Sequence, residues 1–198
     1  MTREIGRLTE ALRLATGASS DFDLNPASAL PLGRVLRDAA VLMALWPREN
    51  GVQVVLTKRA SHLKHHPGQI AFPGGKVEQT DASPEAAALR EAQEEIGLAP
   101  DKVEVLGILP AHETGTGFTI TPVLGVIRDS FEPLCDPSEV EEVFTVPLSH
   151  LMTPARYCIE GRMWRGQFRR YYTVPWGPYY IWGATARILR GLAERVAA

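Results

Sequence analysis

Residues 39–46 read AAVLMALW, an unbroken apolar run, and VQVVLTK follows at 52–58 after the turn-forming PRENG. The two segments read as strands of a hairpin. A strand with one wet face alternates polar and apolar residues; one that is apolar throughout has to be covered on both faces. The first strand therefore belongs at the centre of a sheet with layers packed above and below it. Helices are available for those layers. Residues 3–16 place Ile5, Leu8, Leu12 and Ala15 on one face with Gly17 at the end, and residues 184–196 do the same with Ala184, Ile188, Leu192 and Val196. Further strands are expected at 102–109 and 119–127, and more near 142–146, 156–160, 163–166 and 168–174. Residues 18–33, rich in Ser, Asp, Asn and Pro, and the segment AHETGTGF at 111–118 read as loops. The class is a layered α/β fold with a mixed sheet.

The chain of 198 residues is long enough to bury a core as one domain, 1–198. A net charge of −2 argues against a dedicated nucleic-acid binder. No apolar run approaches the ~20 residues of a membrane span, and the amphipathic, charged MTREIGRLTEALRL is unlike a signal peptide. Cys135 and Cys158 stand in neither a metal nor a redox pair and read as reduced thiols of a cytoplasmic protein, with a single disulfide left open.

Between the strands lies FPGGKVEQTDASPEAAALREAQEEIGL, residues 72–98, whose second half is a helix with clear ends. Ser83 suits the N-cap, Pro84 the first helical position and Gly97 the left-handed closing position. Spacings of three and four put Glu91, Glu94 and Glu95 on one narrow face, with Leu89, Ala92 and Ile96 roughly opposite. The apolar stripe is expected to dock and the carboxylate face to be held out for use. Like charges at this spacing cost about 0.2–0.5 kcal/mol per pair. Carboxylates in the last turns oppose the helix dipole by roughly 0.3–1 kcal/mol each. A divalent cation would reverse both terms.

The segment leading into that helix, VLTKRASHLKHHPGQIAFPGG, has no acidic residue from Val52 through Lys76. It carries Lys58, Arg59 and Lys64 beside His62, His65 and His66, and glycines at 68, 74 and 75. A basic, glycine-punctuated loop entering an acidic helix suits a polyanionic ligand. The histidines read as surface or phosphate-facing groups. The aromatics of the C-terminal third (Trp164, Phe168, Tyr171, Tyr172, Trp176, Tyr179, Tyr180 and Trp182) are expected mostly in the core.

Taken together, Gly75, Asp81, Arg90, Glu91, Glu94, Glu95 and Gly97 resemble the Nudix box. Its pattern runs glycine, five residues, glutamate, seven residues, Arg-Glu, an aliphatic residue, any residue, Glu-Glu, any residue, glycine. Ala92 stands in for a larger aliphatic residue, Asp81 for the first glutamate, and the stretch from Gly75 to Arg90 is longer by one residue. The preceding segment resembles the signature of the coenzyme A-hydrolysing Nudix branch through Leu56, Thr57, Arg59, Ala60, Gly68, Phe72, Pro73, Gly74 and Gly75. Val55 replaces a leucine there, and Lys64 an arginine, keeping the charge without the planar fork.

The resemblance implies a Nudix-type α/β/α sandwich, with the box region at 74–98. It implies metal-dependent hydrolysis of the diphosphate of coenzyme A or its thioesters, giving 3′,5′-ADP and a 4′-phosphopantetheine species. The implied cofactor is Mg2+ or Mn2+, held by Glu91 and Glu95 with Glu94 and a Gly74 carbonyl. Glu94, Glu95 and Arg90 are the implied catalytic set, Arg90 orienting a glutamate. Arg59, Lys64, Gly68 and Phe72 are the implied substrate-binding set. The general base stays open between a helix glutamate and Glu139, Glu141 or Glu142. The expected partner is a small coenzyme A-type nucleotide, with no nucleic acid or membrane and a homodimer left open. A Nudix enzyme for another nucleoside diphosphate derivative, such as ADP-ribose, is the nearest alternative. A silent nucleotide-binding module is the other, disfavoured because no helix glutamate is lost.

Overall fold

The computed structural model describes residues 3–14, 17–26, 33–164 and 166–198, with backbone alone for Trp164. In chain order the elements are α1 (Arg3–Leu12), β1 (Ser19–Ser20), β2 (Arg37–Arg48), β3 (Gly51–Arg59), β4 (Ile70–Ala71), β5 (Gly74–Lys76) and α2 (Pro84–Ile96). Then come β6 (Val103–Ile108), β7 (His112–Glu113), β8 (Phe118–Ile127), β9 (Val140–Pro147), α3 (Leu148–Leu151), β10 (Cys158–Trp164), β11 (Gln167–Thr173) and α4 (Gly183–Ala197).

The apolar run forms the middle of β2, which lies inside a nine-stranded mixed sheet. On one side β2 runs parallel to β8, from Arg37 opposite Phe118 to Leu45 opposite Val126. On the other it turns back on β3, with Leu45 opposite Val54. Strand β3 carries β9 and β4 on its outer edge, and β8 carries β6 and β7.

Alternation along β2 sends its side chains into two separate cores. Met43 and Leu45 join Ile5, Leu8, Ile188, Leu189 and Leu192, beneath α1 and α4. Ala40, Leu42 and Ala44 join Ala87, Ala88, Ala92 and Ile96, beneath α2. Each core side chain is almost free of solvent, and truncating one such as Leu42 to Ala costs about 2–5 kcal/mol. Alanine facing alanine between β2 and α2 also lets the helix lie close to the sheet. The architecture is the α/β/α sandwich expected from the sequence.

Three expectations need correction. Helix α1 ends at Leu12, and Ala15 and Thr16 lie outside the described residues. The two segments read as loops pair with each other: β1 and β7 run parallel, Ser19 opposite His112. His112, fully buried, pins them by reaching Ser19 Oγ at 2.9 Å and Asp21 Oδ1 at 3.1 Å. Of the aromatics at 168–182, Tyr172, Trp176 and Tyr179 pack half-buried against the core as expected, while Phe168 at 60% and Tyr180 at 40% are exposed. They belong to β10–β11 and its surroundings, and that hairpin is a separate two-stranded sheet outside the sandwich. Both cysteines are free thiols.

Candidate active site

The site is built where β5 meets α2. Ser83 Oγ accepts from the amide of Ala86 and Pro84 opens the helix. Gly97 closes it at φ 72°, its amide and that of Leu98 returning to the carbonyls of Gln93 and Ala92. The helix is thereby fixed at both ends, and its rotation decides which glutamates are offered.

That rotation differs from the expectation of a carboxylate face held out in solvent. Glu95 is 4% exposed and the Glu91 side chain 14%, while Glu94 is 59% exposed. The reason is β5. Gly74 and Gly75 present no side chains, so the glutamates turn inward onto bare backbone. The amide of Gly74 donates to Glu95 Oε2 at 3.0 Å. A Cβ on Gly75 would fall 2.4 Å from Glu91 Oε1, so the missing side chain is the space the carboxylate fills.

Burial pushes the Glu95 carboxyl up to about 7, with Glu139 and Glu91 adding repulsion and the Gly74 amide and Arg59 opposing. Burial raises Glu91 as well, against the pull of Arg90. These are two acids held partly desolvated without enough positive charge to offset them.

Arg90 is spoken for. Its Nε and Nη2 donate to the two oxygens of Asp81 at 3.0 Å each, its Nη2 to the Lys76 carbonyl and its Nη1 to Glu94. Glu91 Oε1 lies 3.1 Å from the same Nη2. Arg90 thus braces two helix glutamates and ties the helix to the strand before it. Asp81, also receiving the Glu78 amide at 2.8 Å, is the anchor. The added residue between Gly75 and Arg90 is taken up in this turn without disturbing the helix.

The last turn of α2 receives a third segment. Ile96 and Glu95 carbonyls accept the amides of Leu134 and Asp136 at 3.0 Å each, and the Asp136 carbonyl accepts those of Glu139 and Val140. Glu139 is thereby registered on the same helix that carries Glu91 and Glu95. Of the three acids in that stretch, Glu139 is the one that acts on both buried glutamates. Glu141 binds Lys58 Nζ at 2.6 Å and Ser61, and Glu142 accepts from the Tyr179 hydroxyl.

The basic segment closes on itself: the Arg59 amide donates to the Gln69 carbonyl and the Gly68 amide to that of Arg59. Gly68, at φ 67°, makes the return possible. The Arg59 charge acts on Glu95, opposing the upward push of burial on its carboxyl. Lys64 and the three histidines stand exposed toward the end of the loop. Phe72, expected among the substrate-binding residues, is instead 3% exposed in the core beside Ile70, so its side chain is not offered to a ligand. A residue whose neighbours on both sides are backbone-paired has one inward direction, and a phenyl ring takes it.

Residues 36–164 match the NUDIX domain, well over half of the chain. The chain belongs to the Nudix family. It is similar to proteins described as "Uncharacterized Nudix hydrolase NudL". The one from Enterobacter sp. (strain 638) is 46% identical over 160 residues, covering 81% of this chain and 83% of the relative. The one from Salmonella paratyphi B is 44% identical over the same shares. Among solved structures, the MutT protein of Methanosarcina mazei Go1 aligns at TM-score 0.53 with 18% identity, over 84% of this chain and 96% of that one. A MutT/nudix family protein from Enterococcus faecalis aligns at 0.52 with 18% identity, over 100% and 75%. Those two likenesses concern the fold. Membership makes this Nudix chain a hydrolase of pyrophosphate bonds acting on small nucleotide substrates.

Nudix hydrolases generally use divalent metal ions, and the residues present fit one. Glu91 and Glu95 are buried beside each other with their carboxyls destabilised as anions, which a dication would reverse. Among the described residues no three Asp, Glu, His or Cys side chains converge into a closed cage. Hard cations such as magnesium are commonly held by one or two carboxylates, completed by water and substrate phosphate. Among the described residues no helix is long and apolar enough to cross a membrane.

Proposed function

We propose that this Nudix hydrolase, acting as one domain over 1–198, cleaves the diphosphate of coenzyme A or its thioesters into 3′,5′-ADP and a 4′-phosphopantetheine species. The observation that carries the reading is the placement of Arg59. In the segment resembling the coenzyme A signature, the arginine is near enough for its charge to act on Glu95, and an acid-free loop bearing Lys64 follows it, which supports the reading. A substrate with a diphosphate and a separate 3′-phosphate asks for that: charge at the reacting bond and more charge along one side.

Glu91 and Glu95, with a Gly74 carbonyl and Glu94, would hold Mg2+ or Mn2+. When bound, the cation supplies charge neutralisation at the phosphate oxygens and lowers the pKa of a coordinated water. Arg90 keeps Glu91 and Glu94 in place from Asp81. Arg59 draws the diphosphate toward the glutamates. Glu139, exposed and near enough for its charge to act on both Glu91 and Glu95, would take the proton of the attacking water. Glu141, fastened to Lys58 and Ser61, holds the start of the loop.

The test is a substrate panel with magnesium or manganese, products resolved by chromatography. Coenzyme A should exceed ADP-ribose in kcat/KM by at least about tenfold, a difference of about 1.4 kcal/mol in transition-state binding. A tenfold preference the other way would defeat the assignment and leave the pyrophosphatase chemistry standing.

A further inference from the structure

Among the described residues nothing pairs with the outer edge of β10: the two strands form their own sheet, and β10 bonds to β11. Every residue from Cys158 to Met163 is exposed. Such an edge is usually blunted by charged side chains, proline or a bulge; the two charges here, Glu160 and Arg162, are of opposite sign. This one has an unbroken antiparallel register with β11 and the sequence CIEGRMW.

Its face carries large apolar groups in water: Ile159 is 53% exposed, Met163 65% and Phe168 60%. Phe168 sits opposite Met163 on β11, yet its ring reaches back over Gly161, where a Cβ would lie 2.3 Å from the ring. The ring is therefore laid across β10 toward the open edge.

The sequence of that edge is self-complementary about Gly161. If a second β10 runs antiparallel with the two glycines opposed, Glu160 falls opposite Arg162 of the other copy, and Arg162 opposite its Glu160. On the other face Ile159 falls opposite Met163, and the reverse. Both charge pairs and both apolar pairs match, and opposed cross-strand pairs of either kind are stabilising. The two Phe168 rings, each already lying over its glycine, meet at the two-fold axis.

We propose that the partner of this edge is a second copy of the chain, the two hairpins joining through β10 into one four-stranded antiparallel sheet. A two-fold contact uses the same patch on both copies, as this register does. The contact area of two hairpins is smaller than the ~800 Å² per partner of standard stable interfaces, so the dimer forms reversibly with concentration.

Sedimentation velocity over a concentration series of the whole protein tests this. Mass should shift from monomer to dimer as concentration rises; a monomer at every concentration up to the hundreds of micromolar overturns the proposal. Glu160→Arg alone and Arg162→Glu alone each set like charges opposite each other twice. Each should weaken association by about tenfold. The double exchange Glu160→Arg/Arg162→Glu should restore it. Restoration separates pairing from local damage, since Glu160 also accepts from the Tyr180 hydroxyl and Arg162 stacks on Trp182. A dimer indifferent to all three variants uses another surface and overturns the proposal. Hydrogen exchange gives a second reading: amides of residues 159–163 should slow on dimerisation, and unchanged exchange in a proven dimer overturns it too.

Discussion

Oε2 of Glu95 lies 3.0 Å from the amide nitrogen of Gly74, a bond between a nearly buried carboxylate and bare backbone. One amide is small compensation for an anion at 4% exposure, and the carboxyl responds by holding its proton up to about pH 7. The first two predictions come from that bond.

Glu95→Gln should reduce kcat by at least about a hundredfold under saturating magnesium, because it would remove a proposed metal ligand and the charge at the site. At pH 8 and without metal, the variant should melt at or above the wild type, since the buried charge has gone. Activity within a few-fold of wild type would take Glu95 out of the metal site.

Stability of the metal-free protein should depend on pH in a defined direction. The folded-state pKa of Glu95 lies above its unfolded value, so its favourable contribution is full below about pH 4.5 and is lost as pH rises through about 7. Over that span the loss is about 3 kcal/mol, the equivalent of the shift. Magnesium should abolish much of the slope and raise the melting temperature by mass action. Denaturant titrations from pH 4.5 to 8, with and without magnesium, measure both; a flat profile without metal would contradict the burial argument.

Gly75→Ala and Gly74→Ala should fail differently. At Gly75 the new methyl meets the end of a flexible side chain, Glu91, at 2.4 Å. The fold should survive at a cost of about 1–3 kcal/mol, while the metal concentration for half-maximal activity rises by tenfold or more. At Gly74 the methyl meets the Ala40 carbonyl at 2.4 Å on a residue at φ 151°. Backbone has to move there, so loss of stability should dominate. Thermal melts and metal titrations on both variants distinguish them.

Among the late acids, Glu139→Gln should lower kcat by about 10²–10⁴, the usual weight of a general base. Glu141→Gln should act mainly on KM, because it frees Lys58 and Ser61 at the base of the loop. Comparable kcat losses in the two variants would remove the distinction.

The 3′-phosphate offers a separate test of the loop. Dephospho-coenzyme A should be the poorer substrate, and Arg59→Ala or Lys64→Ala should narrow the gap if that residue reads the 3′-phosphate. An equal loss on both substrates assigns the residue to the shared diphosphate.

The central strands and the acidic helix were legible because their signals are local. AAVLMALW has one way to be covered, and Ser83, Pro84 and Gly97 bracket α2 at the positions they occupy in the structure. The rotation of α2 was not legible. Its stripe reads as Leu89, Ala92 and Ile96, yet Leu89 is only half-buried and Glu95 is inside. Periodicity assigns faces by hydrophobicity, and the deciding fact was the lack of side chains on a strand twenty residues away. Asp81 was similarly hidden: its spacing departs from the Nudix pattern, and only geometry shows it gripping Arg90 with both oxygens. The docking of Leu134 and Asp136 on α2 rests on backbone groups, which every residue has, and the pairing of β1 with β7 adds to its backbone bonds only the single buried His112, so no residue pattern announces either.

The amides of Leu134 and Asp136 give the enzyme a built-in gauge. They are protected only while the stretch bearing Glu139 rests on the end of α2. Their exchange with solvent deuterium therefore measures how often the segment carrying Glu139 leaves the end of the helix that carries the glutamates, with no substrate present. The helix itself can stay folded throughout, since its own last turn is closed by Gly97 and Leu98. Assembly of the site can thus be followed separately from formation of the fold.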